Sequence, residues 1–197
     1  MNKIYSILIL TSLVFTFYGC TPKRQVQRIS TEQTTDLSGR WNDTDSRMVA
    51  EEMINQLLHD QWIDFYKTKN PNKRPILIVG LIKNKSHEHI DANTFIKDIE
   101  RAIIQDASAR LVQAGAKRDA LRQERMDQQN FASSETAKNW GIELGADYML
   151  QGTITSIVDT YKKEKIVYYQ INLELSHLET NEIVWMGEKK IKKYIKN

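Results

Sequence analysis

Apolar residues follow three different rhythms along this chain. Over residues 4–18 they are almost continuous. Between residues 49 and 107 they recur every three to five positions, with one unbroken run in the middle. From Tyr148 onward they alternate with polar residues. Each rhythm predicts a different kind of element.

The helical rhythm begins with Val49, Met53, Leu57, Leu58, Trp62 and Phe65, which predict one apolar helix face. Asp43 or Asp45 is the expected N-cap, and residues 67–75, with Pro71 and Pro75, the expected stop. Residues 76–82 are a continuous branched run and predict a strand buried on both faces. Asp91 then caps a helix with Phe95, Ile99, Ala102, Ile103 and Ala107 inward, and residues 110–113 read as a short strand. Residues 116–129 are charged with few apolar positions, an exposed helix or a mobile arm. Ser133 or Ser134 starts a further helix with Ala137, Trp140 and Leu144 inward, and Gly145 stands where a left-handed end is wanted.

At Tyr148 the period drops to two. Tyr148, Leu150, Gly152 and Ile154 face one way, and Gln151, Thr153 and Thr155 the other. After a turn at residues 162–165, Tyr169, Ile171, Leu173 and Leu175 alternate with Gln170, Asn172, Glu174 and Ser176. A second turn at residues 179–182 returns the chain through Ile183, Val184, Trp185 and Met186. The expected fold class is α+β: a mostly antiparallel sheet, made of a C-terminal three-strand meander plus a buried N-terminal strand, flanked by helices. No internal repeat is present.

The first run has another meaning. Lys3 supplies a charge, residues 4–18 an apolar stretch of about 15 residues, and Gly19 a small residue before Cys20, the only cysteine. This is the order of a secretory signal, and the run is short of the roughly 20 residues that span a bilayer. With Cys20 after the cleavage point it resembles the lipobox of bacterial lipoproteins, although Phe17 and Tyr18 stand where most lipoboxes carry Leu and a small residue. The resemblance implies that residues 1–19 are removed and Cys20 is acylated. Residues 20–39 are polar and read as a lipidated flexible tether, and residues 40–197 as one globular domain. The tether spans at most roughly 65–70 Å when extended, and about 25 Å as a coil.

Composition narrows the function further. A net charge of +3 does not argue for nucleic acid, and none is expected as a partner. A single cysteine excludes a disulfide framework. Lys189, Lys190, Lys192, Lys193 and Lys196 have no acidic residue among them. They suit an edge strand guarded against aggregation, or contact with anionic lipid or cell-wall polymer.

Candidate chemistry is sparse. His87, Glu88 and His89 put two imidazoles around a carboxylate, but such a loop supplies at most two ligands, and zinc wants three or four. His59 is isolated, and His177 falls on the apolar side of its strand. No Gly-x-Ser-x-Gly elbow, no free cysteine and no phosphate-cradling glycine loop is present. These features favour a binding module over an enzyme, with no metal and no cofactor.

Several motifs together carry a family resemblance. A lipobox and tether are followed by Trp41, Asn42, Asp43, Thr44 and Asp45 opening a helix, then by the 76–82 strand and its Asn84 loop. Gly145, Ala146, Asp147 and Tyr148 enter the meander, and a hairpin closes on Glu179, Thr180, Asn181 and Glu182 before Trp185. From Gly39 to Lys189 this resembles the LpoB-type outer-membrane lipoproteins, activators of bifunctional penicillin-binding proteins. The resemblance implies a non-catalytic protein lipid-anchored in the outer membrane, its domain facing the periplasm, that docks on a bifunctional peptidoglycan synthase and raises its polymerising and cross-linking rates. Thr21, in place of Asp, fits outer-membrane sorting. The tether is shorter, and poorer in proline, than in the best-known members. The expected docking residues are Lys83, Asn84, Lys85, Ser86, His87, His89 and Asn93. Two alternatives stand beside this reading: a secretion or pore subunit of the CsgG type, and a structural periplasmic lipoprotein with another protein partner.

Overall fold

A computed structural model describes residues 24–131, 133 and 143–196. The chain divides into two units, Met1–Gln33 and Thr34–Asn197. Residues 24–33 of the first are exposed and carry neither helix nor strand. Cys20 and the signal-like stretch lie outside the described residues.

The second unit begins with helix α1, Asp43–Leu58. Its N-cap is Asn42 rather than Asp43 or Asp45. The Asn42 side chain accepts the Asp45 N–H at 3.1 Å, and Asp45 Oδ2 accepts the Asn42 N–H at 3.0 Å. This reciprocal capping box satisfies two otherwise orphaned donors. Val49, Met53, Leu57 and Leu58 are buried as expected, but the helix does not reach Phe65. It ends at His59, and Asp60 caps a second helix, α2, Gln61–Lys69. The break resets the helical phase, so Trp62 stays buried while Phe65 is 66% exposed.

Strand β1, Ile76–Asn84, is buried on both faces only at Leu77, Ile78 and Val79. A register shift between Val79 and Ile82 sends Leu81 to solvent, where it is 62% exposed. Helix α3, Ala92–Asp106, is capped by Asp91 as expected and buries Phe95, Ile99 and Ile103. Ala102 is half-buried. Ala107 is not on the inner face: it ends the helix in left-handed conformation, with φ 61°. Strand β2 is only Arg110–Leu111. Helix α4, Gly115–Phe131, buries none of its residues, in keeping with its charged sequence. The helix expected after Ser133 falls largely outside the described residues. Leu144 is exposed and Gly145 is not left-handed.

The meander is present: β3, Tyr148–Tyr161, β4, Glu164–His177, and β5, Ile183–Lys196, pair antiparallel in sequence. The sheet as a whole is nevertheless mixed, in the order β2-β1-β3-β4-β5, because β1 pairs parallel with both β2 and β3. The long connection from β1 through α3 and α4 to β3 provides the crossover that parallel neighbours require. Helices α1 and α3 pack on one another, α1 against β5 and α3 against β1 and β2. They bury Leu150, Ile154, Val167, Tyr169, Ile171, Leu173 and Leu175, each large side chain contributing about 1.5–3 kcal/mol. The lysine run is the second half of β5, an edge strand as expected. Lys190 pairs with Glu188 just before the run, and the other acidic partners come from other segments: Glu52 for Lys189, Asp36 and Asp45 for Lys193, and Glu164 for Lys196.

Candidate docking surface

At the end of β1 the polar loop is built around Asn84. Its Nδ2 donates to Glu88 O at 2.8 Å, and its Oδ1 accepts from Ser86 N at 2.9 Å and Ser86 Oγ at 2.7 Å. Asn therefore supplies both the donor and the acceptors that a tight polar turn needs. The loop is also stitched to β3. Lys85 N–H donates to Ile154 O at 2.7 Å, His87 N–H donates to Ser156 Oγ at 2.9 Å, and His87 Nδ1 lies 2.7 Å from the same hydroxyl.

Glu88 turns inward beneath this loop. Its Oε2 accepts the Trp41 N–H at 3.0 Å, a donor shared with Tyr169 Oη at 3.1 Å. Its Oε1 faces His87 Nε2 at 3.2 Å. Burial first, and then contact with Glu88, push the Tyr169 phenol well above the ordinary tyrosine range. Tyr169 also stacks with His87, ring centroids 6.3 Å apart, and meets Trp41 edge-on at 5.6 Å. Glu88 thus anchors the loop.

The expected docking residues divide into four groups. Lys83 and Lys85 line a shallow groove of about 370 Å³ on the sheet, with Leu81, Thr153, Asn172 and Met186. His87 and His89 line a separate cleft of about 280 Å³ with Arg40, Trp41, Glu88 and Lys165. Asn84 and Ser86 are structural, spent on the turn. Asn93 lies apart, exposed in the first turn of α3 with its N–H bonded to Asp91. Among the described residues no group of three or more His, Cys, Asp and Glu is placed to hold a metal. Sequence reasoning missed Ser156, Trp41 and Tyr169. They are separated from the loop by 47 to 82 positions and carry no local signal of their approach. Glu88 was visible as the middle of His-Glu-His, but not as the buried anchor.

With this surface in place, the comparison that decides the family is a family model described as peptidoglycan-synthase activator LpoB, which matches residues 45–191. The chain belongs to the LpoB family. Solved structures similar to it include the LpoB C-terminal domains of Escherichia coli and Salmonella enterica. They are 15% and 16% identical, with TM-scores of 0.46 and 0.43, and each comparison covers 76% of this chain and 99% of the other. Lipoprotein GNA1162 from Neisseria meningitidis is similar at 15% identity and a TM-score of 0.39, over 62% of this chain and 84% of that one. No curated protein matches the chain. The LpoB match runs from the α1 capping box into β5, so it takes in the whole Asn84 loop and Asn93.

Proposed function

We propose that this chain is a non-catalytic envelope lipoprotein that binds a bifunctional peptidoglycan synthase and stimulates its glycosyltransferase and transpeptidase reactions. The observation that carries the reading is the LpoB family match over residues 45–191. The sequence order of Lys3, an apolar run, Gly19 and Cys20 supports lipid attachment at Cys20, and Thr21 after it, with the LpoB family match, supports an outer-membrane address with the domain in the periplasm. Among the described residues no helix is long and apolar enough to cross a membrane.

The docking face in this reading is the loop carrying Lys83, Lys85, His87 and His89, together with Asn93 in the first turn of α3. Its support is physical: Asn84 and Glu88 hold the loop in one conformation, so little ordering entropy opposes binding. Activation follows from unequal affinity. A protein that binds the active synthase conformer tenfold better than the resting one shifts that equilibrium by about 1.4 kcal/mol. The secretion-pore alternative gains no support from the β3–β4 hairpin, whose dry face, Leu150, Ile154, Val167 and Leu173, is already buried in the domain core.

The test measures glycan polymerisation and cross-linking by each bifunctional synthase of the host, with and without this protein. A saturable rise with one synthase, weakened by alanine at Lys83, Lys85, His87, His89 or Asn93, is the expected result. No rise with any synthase overturns the activator reading. A rise that none of the five substitutions changes overturns only the docking face.

A further inference from the structure

At the other end of β1 lies a larger cleft, about 840 Å³, where α2, the start of β3 and the β4–β5 turn meet. Its floor is a preformed aromatic array. Tyr148 sits edge-on to Trp62 at 5.1 Å, to Tyr66 at 6.0 Å and to His177 at 5.0 Å between ring centroids. The polar tips are tied down. Trp62 Nε1 donates to Leu57 O at 2.6 Å, Tyr66 Oη to Asp147 Oδ2 at 3.2 Å, and His177 Nδ1 accepts the Glu179 and Thr180 N–H groups at 3.3 Å. Rigid aromatic surfaces of this kind make strong binding anchors.

Two large apolar side chains stand at the lips without cover: Phe65 on α2 and Ile183, 53% exposed, at the start of β5. Asp60, Asp147, Glu179 and Glu182 also line the cleft, against Lys69 as the one lysine or arginine among the described residues. None of these four carboxylates is in an ion pair among the described residues, whereas Glu52, Asp45, Glu143 and Glu164 all are. In a chain of net charge +3 this is a local negative field. Tyr148 registers it: burial, then the charges of Asp147 and Glu182, push its phenol upward. The carboxylates do not converge as a cation cage does, so their field suits charges spread along a chain.

We propose that this cleft is a second docking surface, which receives a lysine- or arginine-bearing polypeptide segment with a large apolar anchor. The anchor packs between Phe65 and Ile183 over the Tyr148 array, and the cations meet Glu179 and Glu182 on the rigid turn. The 83–89 loop is eight residues further along β1, on the order of 25 Å away at about 3.3 Å per residue. A partner can therefore occupy the cleft while another holds the loop. The proposal does not depend on the synthase reading.

The test uses the full chain in detergent with two fluorescein-labelled synthetic peptides of equal length, one alternating Lys and Phe, the other Glu and Phe. Fluorescence anisotropy is expected to show saturable binding of the Lys–Phe peptide only, weakening as salt rises. Glu179→Lys combined with Glu182→Lys should weaken it at least tenfold and Phe65→Ala severalfold, while Lys83→Ala with Lys85→Ala leaves it unchanged. All of these are exposed positions, and near-UV circular dichroism checks that the variants stay folded. Equal binding of the two peptides, no saturation by about 1 mM, or undiminished affinity in the cleft variants overturns the proposal.

Discussion

Lys193 and Asp45 are 148 positions apart in sequence and 2.6 Å apart in space, Nζ to Oδ2. The same ammonium reaches Asp36 Oδ1 at 2.6 Å and Arg40 O at 3.0 Å. Asp45 is at once the third residue of the α1 capping box and the partner of the last strand. The side chains of Lys193 and Asp45 are 9% and 10% exposed, which takes the pair out of the class of surface bridges worth little.

Replacing Lys193 by Met should therefore destabilise the domain by about 2–4 kcal/mol, since it strands a largely buried carboxylate. Urea unfolding of the two proteins measures this. A loss below about 0.5 kcal/mol, the usual range for surface substitutions, would show that the clamp adds nothing to stability.

The same pair predicts a pH dependence. Burial alone would lower the Lys193 ammonium, but the hydrogen bonds to Asp36 and Asp45 outweigh it and hold it above the ordinary value. A folded-state pKa above the unfolded one contributes stability that is complete below the unfolded value, about 10.4, and is lost as pH rises through the folded value. The stability gap between the native protein and Lys193→Met should thus stay level from neutral pH to about pH 10 and shrink above it. A gap that already shrinks between neutral pH and about pH 9 contradicts the assignment.

Gly152 has no room for a side chain. A Cβ there would stand 2.2 Å from Asn172 O and 2.6 Å from Leu173 Cδ2, and the carbonyl belongs to the paired strand. Gly152→Ala should cost about 1–3 kcal/mol through forced backbone shifts, read as a lower Tm. Gly145→Ala, which meets nothing within 4 Å, is the control and should melt close to the native protein.

Asn84→Ala should loosen the loop far more than the fold. It removes the acceptor of Ser86 N–H and the donor to Glu88 O, a loss of about 1–3 kcal/mol for unsatisfied buried groups. Hydrogen exchange is expected to accelerate at Ser86 and its loop neighbours while amides of β4 keep their protection. Uniform acceleration across both would mean that Asn84 supports the whole sheet.

Helix α4 is fastened at Glu143, whose carboxylate meets Arg122 Nη2 and Arg125 Nη1, each at 2.9 Å. Arg122 chiefly holds the Glu143 carboxyl below the usual glutamate range. A depressed folded pKa contributes stability above the unfolded value, about 4.3, and loses it as pH falls through the folded value. Protection of the α4 amides, corrected for intrinsic exchange, should fall on acidification below about pH 4, and Glu143→Gln should show the lower protection already at neutral pH. If the variant and the native helix exchange alike, another contact secures α4.

The residues that sequence reasoning placed well share one property: their burial repeats with the period of their own element. Phe95, Ile99 and Ile103 recur at helical spacing, and Tyr169, Ile171, Leu173 and Leu175 at strand spacing, and all seven are buried. The family was legible for a related reason, since its motifs sit at element ends where caps and turns restrict residue choice. Phe65 was misplaced because the break at Asp60 lies inside a pattern that continues in period but not in phase. The parallel entry of β1 was missed because alternation and burial do not say which neighbour a strand takes. The loop was placed but not understood, since its anchors Trp41 and Tyr169 come from distant segments.

By itself, then, the sequence determined most of the helices and strands among the described residues, the inward faces of α3 and β4, the α+β class and membership of the LpoB family. These follow from local periodicity and backbone chemistry, which neighbouring residues carry among themselves. Only the tertiary structure decided the mixed sheet order, the Lys193–Asp45 clamp, the burial of Glu88 and the aromatic cleft at Tyr148. Each of these joins residues whose separation along the chain leaves no periodic trace, and each is decided by how the elements pack against one another.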